Sequence, residues 1–339
     1  MEIKKATITD VANHSKVSIK TVSRVINNEY GVSKTTKNRV LNSIKLLNYN
    51  PNKAAQGLRS KKSFLIGLAY DNPDKFYLSD IQTGVLEACV ENGFSVVLFP
   101  CNYSDIDLYL QLSEFVKRTN LDGLILTPPI SDMKELVQKL KIEIPLSIIS
   151  PGQSSTDQLW VSSDDFKASY DMTCHLIKQG HKKIGFIKGH VDHGATEHRL
   201  NGYLNALKDN NINVDKNNIT DGDFSFDSGE SAAKKLLSNK KSGITAIFAS
   251  NDAMAAGVLK AAYKAKIKIP DDISLVGFDN SPTASQAWPS ITTVSQPIKE
   301  MASFAAEILI QNISKKSENK SSNKIFDSEL IFRESVKRI

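Results

Sequence analysis

The sequence predicts a small all-α helix-turn-helix head joined to an α/β core of two doubly wound parallel-sheet subdomains. Three observations point there. The first 62 residues are strongly basic and carry only helical periodicity. From residue 64 on, near-continuous apolar runs alternate with amphipathic segments, the pattern of parallel strands covered on both faces. The length, 339 residues, exceeds one small core and suits two or three domains.

Residues 8–27 read ITDVANHSKVSIKTVSRVIN. Ile8, Val11 and Ala12 recur at helical spacing, as do Val22, Val25 and Ile26. The stretch His14 to Ser18 between them is too short for another element. Val17 can plug the corner between two crossed helices, and Ser18 is a good N-cap for the second. This is a helix-turn-helix layout, whose second helix shows Lys20, Thr21, Ser23, Arg24 and Asn27 on its polar face. Ser33 caps a third helix from Lys34 to Leu47, which stops at Asn48-Tyr49-Asn50-Pro51. Residues 1–50 are therefore expected as a three-helix domain. In 51–62, Leu58 is almost alone among polar residues, and Gly57 weakens a segment already too short to be a stable lone helix. It reads as a linker, ordered only when something holds it.

The core, 63–339, opens with strand FLIGLAY, a helix over 79–92 and strand SVVLFP. It continues with a helix over 105–118, strand GLILTPP, a helix near 133–141 and strand PLSIIS. A second series follows: helix 165–180, strand KKIGFIKG, helices 199–210 and 228–239, strand TAIFASN, helix 252–265 and strand SLVGFDN. The two series join near 160–164 and again near 289–293. IFDSELIFRESV is expected as the final strand, after a polar loop at 315–323.

Residues 1–62 hold ten Lys and three Arg against Glu2, Asp10 and Glu29, while the rest of the chain is net negative within a total of +6. A basic head on a mildly acidic body is the electrostatic footprint of nucleic-acid binding. No run of 18 apolar residues suggests a membrane span. MEIKKATITD lacks the apolar core of a secretion signal, so a cytoplasmic location is expected. Cys89, Cys101 and Cys174 are widely spaced and make neither a metal motif nor a disulfide framework. GHVDHGATEH bunches His190, Asp192, His193 and His198, a conceivable metal site without a second cluster; no metal and no cofactor are expected. Gly-rich phosphate loops and the G-x-S-x-G elbow are absent, so the chain is not expected to be an enzyme. The competing readings are a cytoplasmic α/β enzyme, or a sugar-binding protein with a basic appendage.

Several stretches together resemble the lactose/galactose-repressor family of bacterial transcription regulators over the whole length. In the head they are TITDVA at 7–12, VSIKTVSRVIN at 17–27, VS at 32–33 and LNYNPN at 47–52. In the core they are SNDAMAAG at 250–257, PDDISLVGFD at 270–279 and PSITTV at 289–294. The resemblance implies a DNA-reading head, a hinge helix at 51–62, and a core like periplasmic sugar-binding proteins. One subdomain would comprise 63–161 and 293–323, the other 162–292 and 324–339. It also implies a homodimer on a near-palindromic double-stranded operator, most naturally a repressor of carbohydrate-utilisation genes under a sugar effector.

By that resemblance, Ile19, Lys20 and Arg24 read bases, Arg and Lys donating to guanine and Ile meeting a thymine methyl. Thr7, Thr9, Ser18, Thr21, Ser23, Asn27, Ser33 and Thr36 complete the expected DNA-contacting set. Leu58 would wedge into the minor groove at the operator centre, with Arg59 beside it. Arg199, Asn251 and Asp279 would converge on the effector, Phe224 would stack on it, and Asp71, Phe76 and Ser150 would face the same gap, with Trp288 as a wall. The fit is to a neutral polyol: Asp accepts hydroxyls, Arg and Asn donate, and an aromatic ring covers a sugar's apolar face. Many sugar-binding members carry an acid where this chain has Ser150, which leaves the sugar's identity open, as it is between inducer and corepressor.

Overall fold

A computed structural model describes residues 6–26, 29–49, 62–153, 157–239, 243–314 and 323–339. Asn27, Leu58, Arg59 and nearly all of the expected hinge lie outside these residues. The chain divides into two compact units, 1–64 and 65–339.

In the first unit, α1 (Ile8–Ser15), α2 (Ile19–Ile26) and α3 (Lys34–Leu46) close on Val11, Ala12, Val22, Val25 and Val40. Burying a valine contributes roughly 1.5–3 kcal/mol, so these few side chains supply most of the head's cohesion. A reciprocal capping box starts α1, with Thr7 and Asp10 each bonding the other's backbone N–H. Lys16 ends it in the left-handed region, φ 52°, and turns the chain sharply toward α2. Val17 packs against the same core, as the corner reading expects.

In the second unit, the first lobe contains β1 (Leu65–Tyr70), α4 (Lys75–Glu91), β2 (Ser95–Pro100), α5 (Leu108–Thr119), β3 (Gly123–Leu126), α6 (Lys134–Glu143), β4 (Leu146–Ile149) and β5 (Leu159–Ser163). The second contains α7 (Asp165–Lys178), β6 (Ile184–Ile187), α8 (Gly194–Asp209), β7 (Ile219–Thr220), α9 (Phe226–Ser238), β8 (Ala246–Ala249), α10 (Asp252–Lys264), β9 (Ser274–Val276) and α11 (Pro282–Gln286). The chain then adds β10 (Thr293–Ser295), returns to the first lobe for α12 (Ile298–Ser314) and β11 (Lys324–Phe326), and ends with β12 (Glu329–Ile331) beside β10. The first sheet runs β11-β5-β4-β3-β1-β2 and the second β7-β6-β8-β9, both parallel throughout. The central strands are buried on both sides, Gly123–Leu126, Leu146–Ile149, Ile184–Ile187 and Ala246–Ala249 completely, while the edge strands β2, β7 and β11 are partly exposed.

The expected final strand is instead two short ones in different sheets: 324–326 pairs with β5, and 329–331 pairs antiparallel with β10. Asp327 and Ser328 interrupt it where the chain crosses between lobes. The crossings thus fall after Ser295 and after Phe326, a few residues beyond the boundaries expected at 293 and 324. α12, to which no element was assigned, lies against α4, and Gly84 permits the close approach: a Cβ there would stand 2.1 Å from the Lys299 carbonyl oxygen. Among the described residues, no helix is long and apolar enough to cross a membrane.

Candidate functional site

The head presents its second helix. Ile19, apolar yet 39% exposed, and Lys20 both project from its first turn. Ser18 caps that turn, accepting the Thr21 N–H at 3.1 Å, and its hydroxyl lies 2.9 Å from that of Thr21. Ser23 and Arg24 are half-buried one turn on, with the Arg24 guanidinium 3.8 Å from Glu29. Ser33 caps α3, accepting the Thr36 N–H at 3.3 Å and donating to its hydroxyl at 2.9 Å. Thr7 and Thr9 are exposed at the start of α1. Caps and reader helix thus place small hydroxyls at three helix N-termini, where backbone N–H groups and the helix dipole favour phosphate.

The second unit holds a cleft between its lobes, of about 410 Å³ including its mouth, at the C-terminal ends of both sheets. Ser150, Arg199, Phe224, Asn251 and Asp279 all line it. Arg199 is buried and multiply held. Its Nε donates to Asp165 at 3.0 Å, Nη1 donates to the Ser250 carbonyl, and Nη2 lies 3.6 Å from Asp279. Its guanidinium carbon stands 3.7 Å from the Phe278 ring centroid, a cation–π contact. Asn251 caps α10 through Met254 N–H and donates its amide to Asp74 at 3.2 Å and to the Phe224 carbonyl at 2.9 Å. Gln296 donates to Asp279 at 2.8 Å and accepts from Ser163, linking the second lobe to the crossing.

Burial pushes the Asp279 carboxyl up to about 7, against the opposing pull of Arg199. Burial also lowers His193 to about 3, so the imidazole is neutral. Tyr77, in contact with the Ser150 hydroxyl, has its phenol pushed up by burial and the nearby Asp279. Ser150, Phe224 and Asp279 adopt φ of 48°, 69° and 99°, the left-handed region that side chains other than Gly rarely occupy. Such strain gathers where side chains must be aimed.

Three expected residues are not in the cleft. Asp71 accepts the Tyr103 N–H at 2.9 Å and braces a turn. Phe76 is 46% exposed: on α4 it is the next residue, Tyr77, that turns inward. Trp288, beyond α11, is 87% exposed. Sequence reasoning missed Asp74, Tyr77, Asp165, His193 and Gln296, all lining the cleft. Asp74 was legible in principle, since it caps α4 by accepting the Phe76 and Tyr77 N–H groups. Among the described residues, no group of three or more His, Cys, Asp or Glu is arranged to hold a metal ion, the His190–His198 stretch included.

Residues 7–52 match the model of bacterial regulatory proteins of the lacI family, and 173–336 match a periplasmic binding protein-like domain. The chain is 31% identical over 342 residues to the HTH-type transcriptional repressor PurR of Vibrio atlanticus, covering 98% of this chain and 99% of that protein. It belongs to the lacI family of bacterial regulatory proteins. A second relative, the ribose operon repressor of Halalkalibacterium halodurans, is 34% identical over 311 residues, 91% of each chain. Among solved structures, the lac repressor dimer bound to operator and the anti-inducer ONPF superposes with a TM-score of 0.78 at 26% identity, covering 98% of this chain and 100% of that one. The transcriptional regulator CelR–cellobiose complex gives 0.74 at 29%, covering 97% and 99%. As a lacI-family member, this chain is a DNA-binding transcription regulator, and the expected fold class holds: a helix-turn-helix head on an α/β periplasmic-binding-protein-like core.

Proposed function

We propose that this regulator is a homodimeric repressor of carbohydrate-utilisation genes, released from or locked onto its operator by a neutral sugar. The observation that carries the effector class is the charge of the cleft. Among the described residues that line the cleft, Asp74, Asp165 and Asp279 face a single cation, Arg199, which two of them already engage. A phosphate or carboxylate would meet net negative charge there. Hydroxyls would find acceptors, and the Phe224 ring offers an apolar face. The ribose operon repressor and the CelR–cellobiose complex are in keeping with this; a purine, whose flat ring could stack on Phe224, is the second reading.

In this reading Ile19, Lys20 and Arg24 read bases in the major groove. Thr7, Thr9, Ser18, Thr21, Ser23, Asn27, Ser33 and Thr36 hold the backbone, and Leu58 with Arg59 serves the minor groove. Arg199, Asn251, Asp279, Phe224 and Ser150 hold the effector. Residues 1–50, 51–62 and 63–339 act as head, hinge and control core. Leu86 and Val90 on α4 and Leu98 on the edge strand β2 are half or more exposed to nearly so, an apolar face suited to a second copy. The effector acts by binding one arrangement of the lobes better than the other. Thermal stabilisation of the purified chain by a panel of sugars and purines tests the assignment. A sugar is expected to raise Tm and shift operator affinity; stabilisation by purine bases alone would replace it with the purine reading.

A further inference from the structure

The two lobes also meet beside the cleft, at residues that do not line it. Tyr103, after β2, reaches the loop after β6: its hydroxyl donates to Asp192 Oδ2 at 2.8 Å and lies 3.3 Å from His190 Nε2. The Tyr103 and His190 rings meet edge-on, centroids 5.4 Å apart. The Tyr103 backbone is fixed in turn by Asp71. Asp132, from the first lobe, spends one carboxylate oxygen on the Gly152 N–H of its own lobe and the other on the Gly194 N–H of the second lobe, at 2.9 Å. His198 Nε2 lies 2.8 Å from the Gly152 carbonyl oxygen. Here backbone touches backbone: a Cβ on Gly194 would stand 2.0 Å from Gly152 Cα.

We propose that these contacts, which need no ligand group, form a clasp that holds the lobes together, so that effector entry waits on its opening. The Asn251–Asp74 bond also joins the lobes, but it lies within the cleft, where a ligand would displace it. The Tyr103 and Asp132 contacts lie outside that space and survive occupancy. They are tied to the cleft by a row of rings: His190 is 5.2 Å from His193, and His193 is 5.2 Å from Phe224, which lines the wall. Parting Tyr103 from His190 therefore frees the segment that carries His193. The absence of side chains at both Gly152 and Gly194 is what lets the lobes come this close. The clasp requires nothing of the effector's chemistry and stands or falls apart from the sugar assignment.

Hydrogen exchange followed by mass spectrometry on the full-length chain, with no effector added, tests it. Amides of 190–196 are expected to exchange far more slowly than an open loop. Tyr103→Phe keeps the ring and removes the hydroxyl, and should speed that segment about fivefold. Gly194→Ala, whose methyl does not fit between the closed backbones, should speed it tenfold or more. Residues 255–262, in the buried part of α10 away from the inter-lobe contacts, should keep the parent rate in both, which shows that the variants are folded. If Gly194→Ala loses that protection, Tyr103→Phe alone decides. Loop-like exchange at 190–196 in the parent, or unchanged exchange there in the folded variants, overturns the clasp.

Discussion

Arg199 and Asp279 show how single buried charges shape this protein. Asp279 has its carboxyl raised from the ordinary 3.8 to about 7, because burial outweighs the guanidinium 3.6 Å away. A raised carboxyl pKa stabilises the fold at low pH: that contribution is complete below about 4 and is lost as the pH climbs to about 7, at about 1.4 kcal/mol per unit crossed. Asp279→Asn is neutral at every pH. Its Tm relative to the parent should therefore be higher at pH 8 than at pH 5, and a pH-independent difference would contradict the raised carboxyl. In the head, Lys20→Ala should relax preference at one base position of each half-site, costing about 1–3 kcal/mol of discrimination there. Selection from a randomised operator library reads this directly, and an unchanged consensus would remove Lys20 from the readers. Arg199, Asn251 and Asp279 were legible through the family resemblance; Asn251 and Asp279 also sit at element ends, Asn251 capping α10 and Asp279 just after β9, whereas Arg199 lies inside α8, which starts at Gly194, before the expected 199. Phe76 and Tyr77 are adjacent aromatics at a helix start, and no sequence pattern says which one the helix turns inward. Trp288 looked like a wall from its size alone, and its exposure comes from the loop that carries it.

Elements were legible where their periodicity had one meaning. The α2 pattern gives a narrow apolar stripe, Val22 and Val25 inside and Lys20 outside, and the helix forms where expected. Val22 is fully buried in a core of few residues. Val22→Ala should therefore cost about 2 kcal/mol of head stability, seen as earlier loss of operator binding on heating while the Tm of the core stays put. A matching fall in the core's Tm would mean that the two units do not unfold independently. α12 went unread because it is apolar on too wide a face: Ile298, Met301, Ala302, Ala305, Ala306, Ile308, Leu309 and Ile310 are all buried, which blurs a one-sided stripe. IFDSELIFRESV failed for the opposite reason. Both halves carry strand residues, and only the tertiary crossing at 327–328 assigns them to different sheets.

For the molecule as a whole, the division of charge follows the division of labour. The basic excess sits in residues 1–62, whereas the cleft of the second unit is acidic. DNA affinity supplied by Lys and Arg arises from counterion release, so it should fall steeply and linearly on a log–log plot against salt. Effector binding to a buried, neutral-ligand cleft should barely respond, because no counterions are released there. Removing residues 1–62 separates the two. The fragment retains the whole second unit, both sheets and every cleft residue named above. It is expected to keep the parent's thermal stabilisation by the sugar that the panel identifies, and to lose binding to the operator at low salt by at least a hundredfold. If the fragment still bound duplex DNA with the parent's salt slope, the positive surface would have to lie on the core. The helix-turn-helix head would then not be the part that grips the operator.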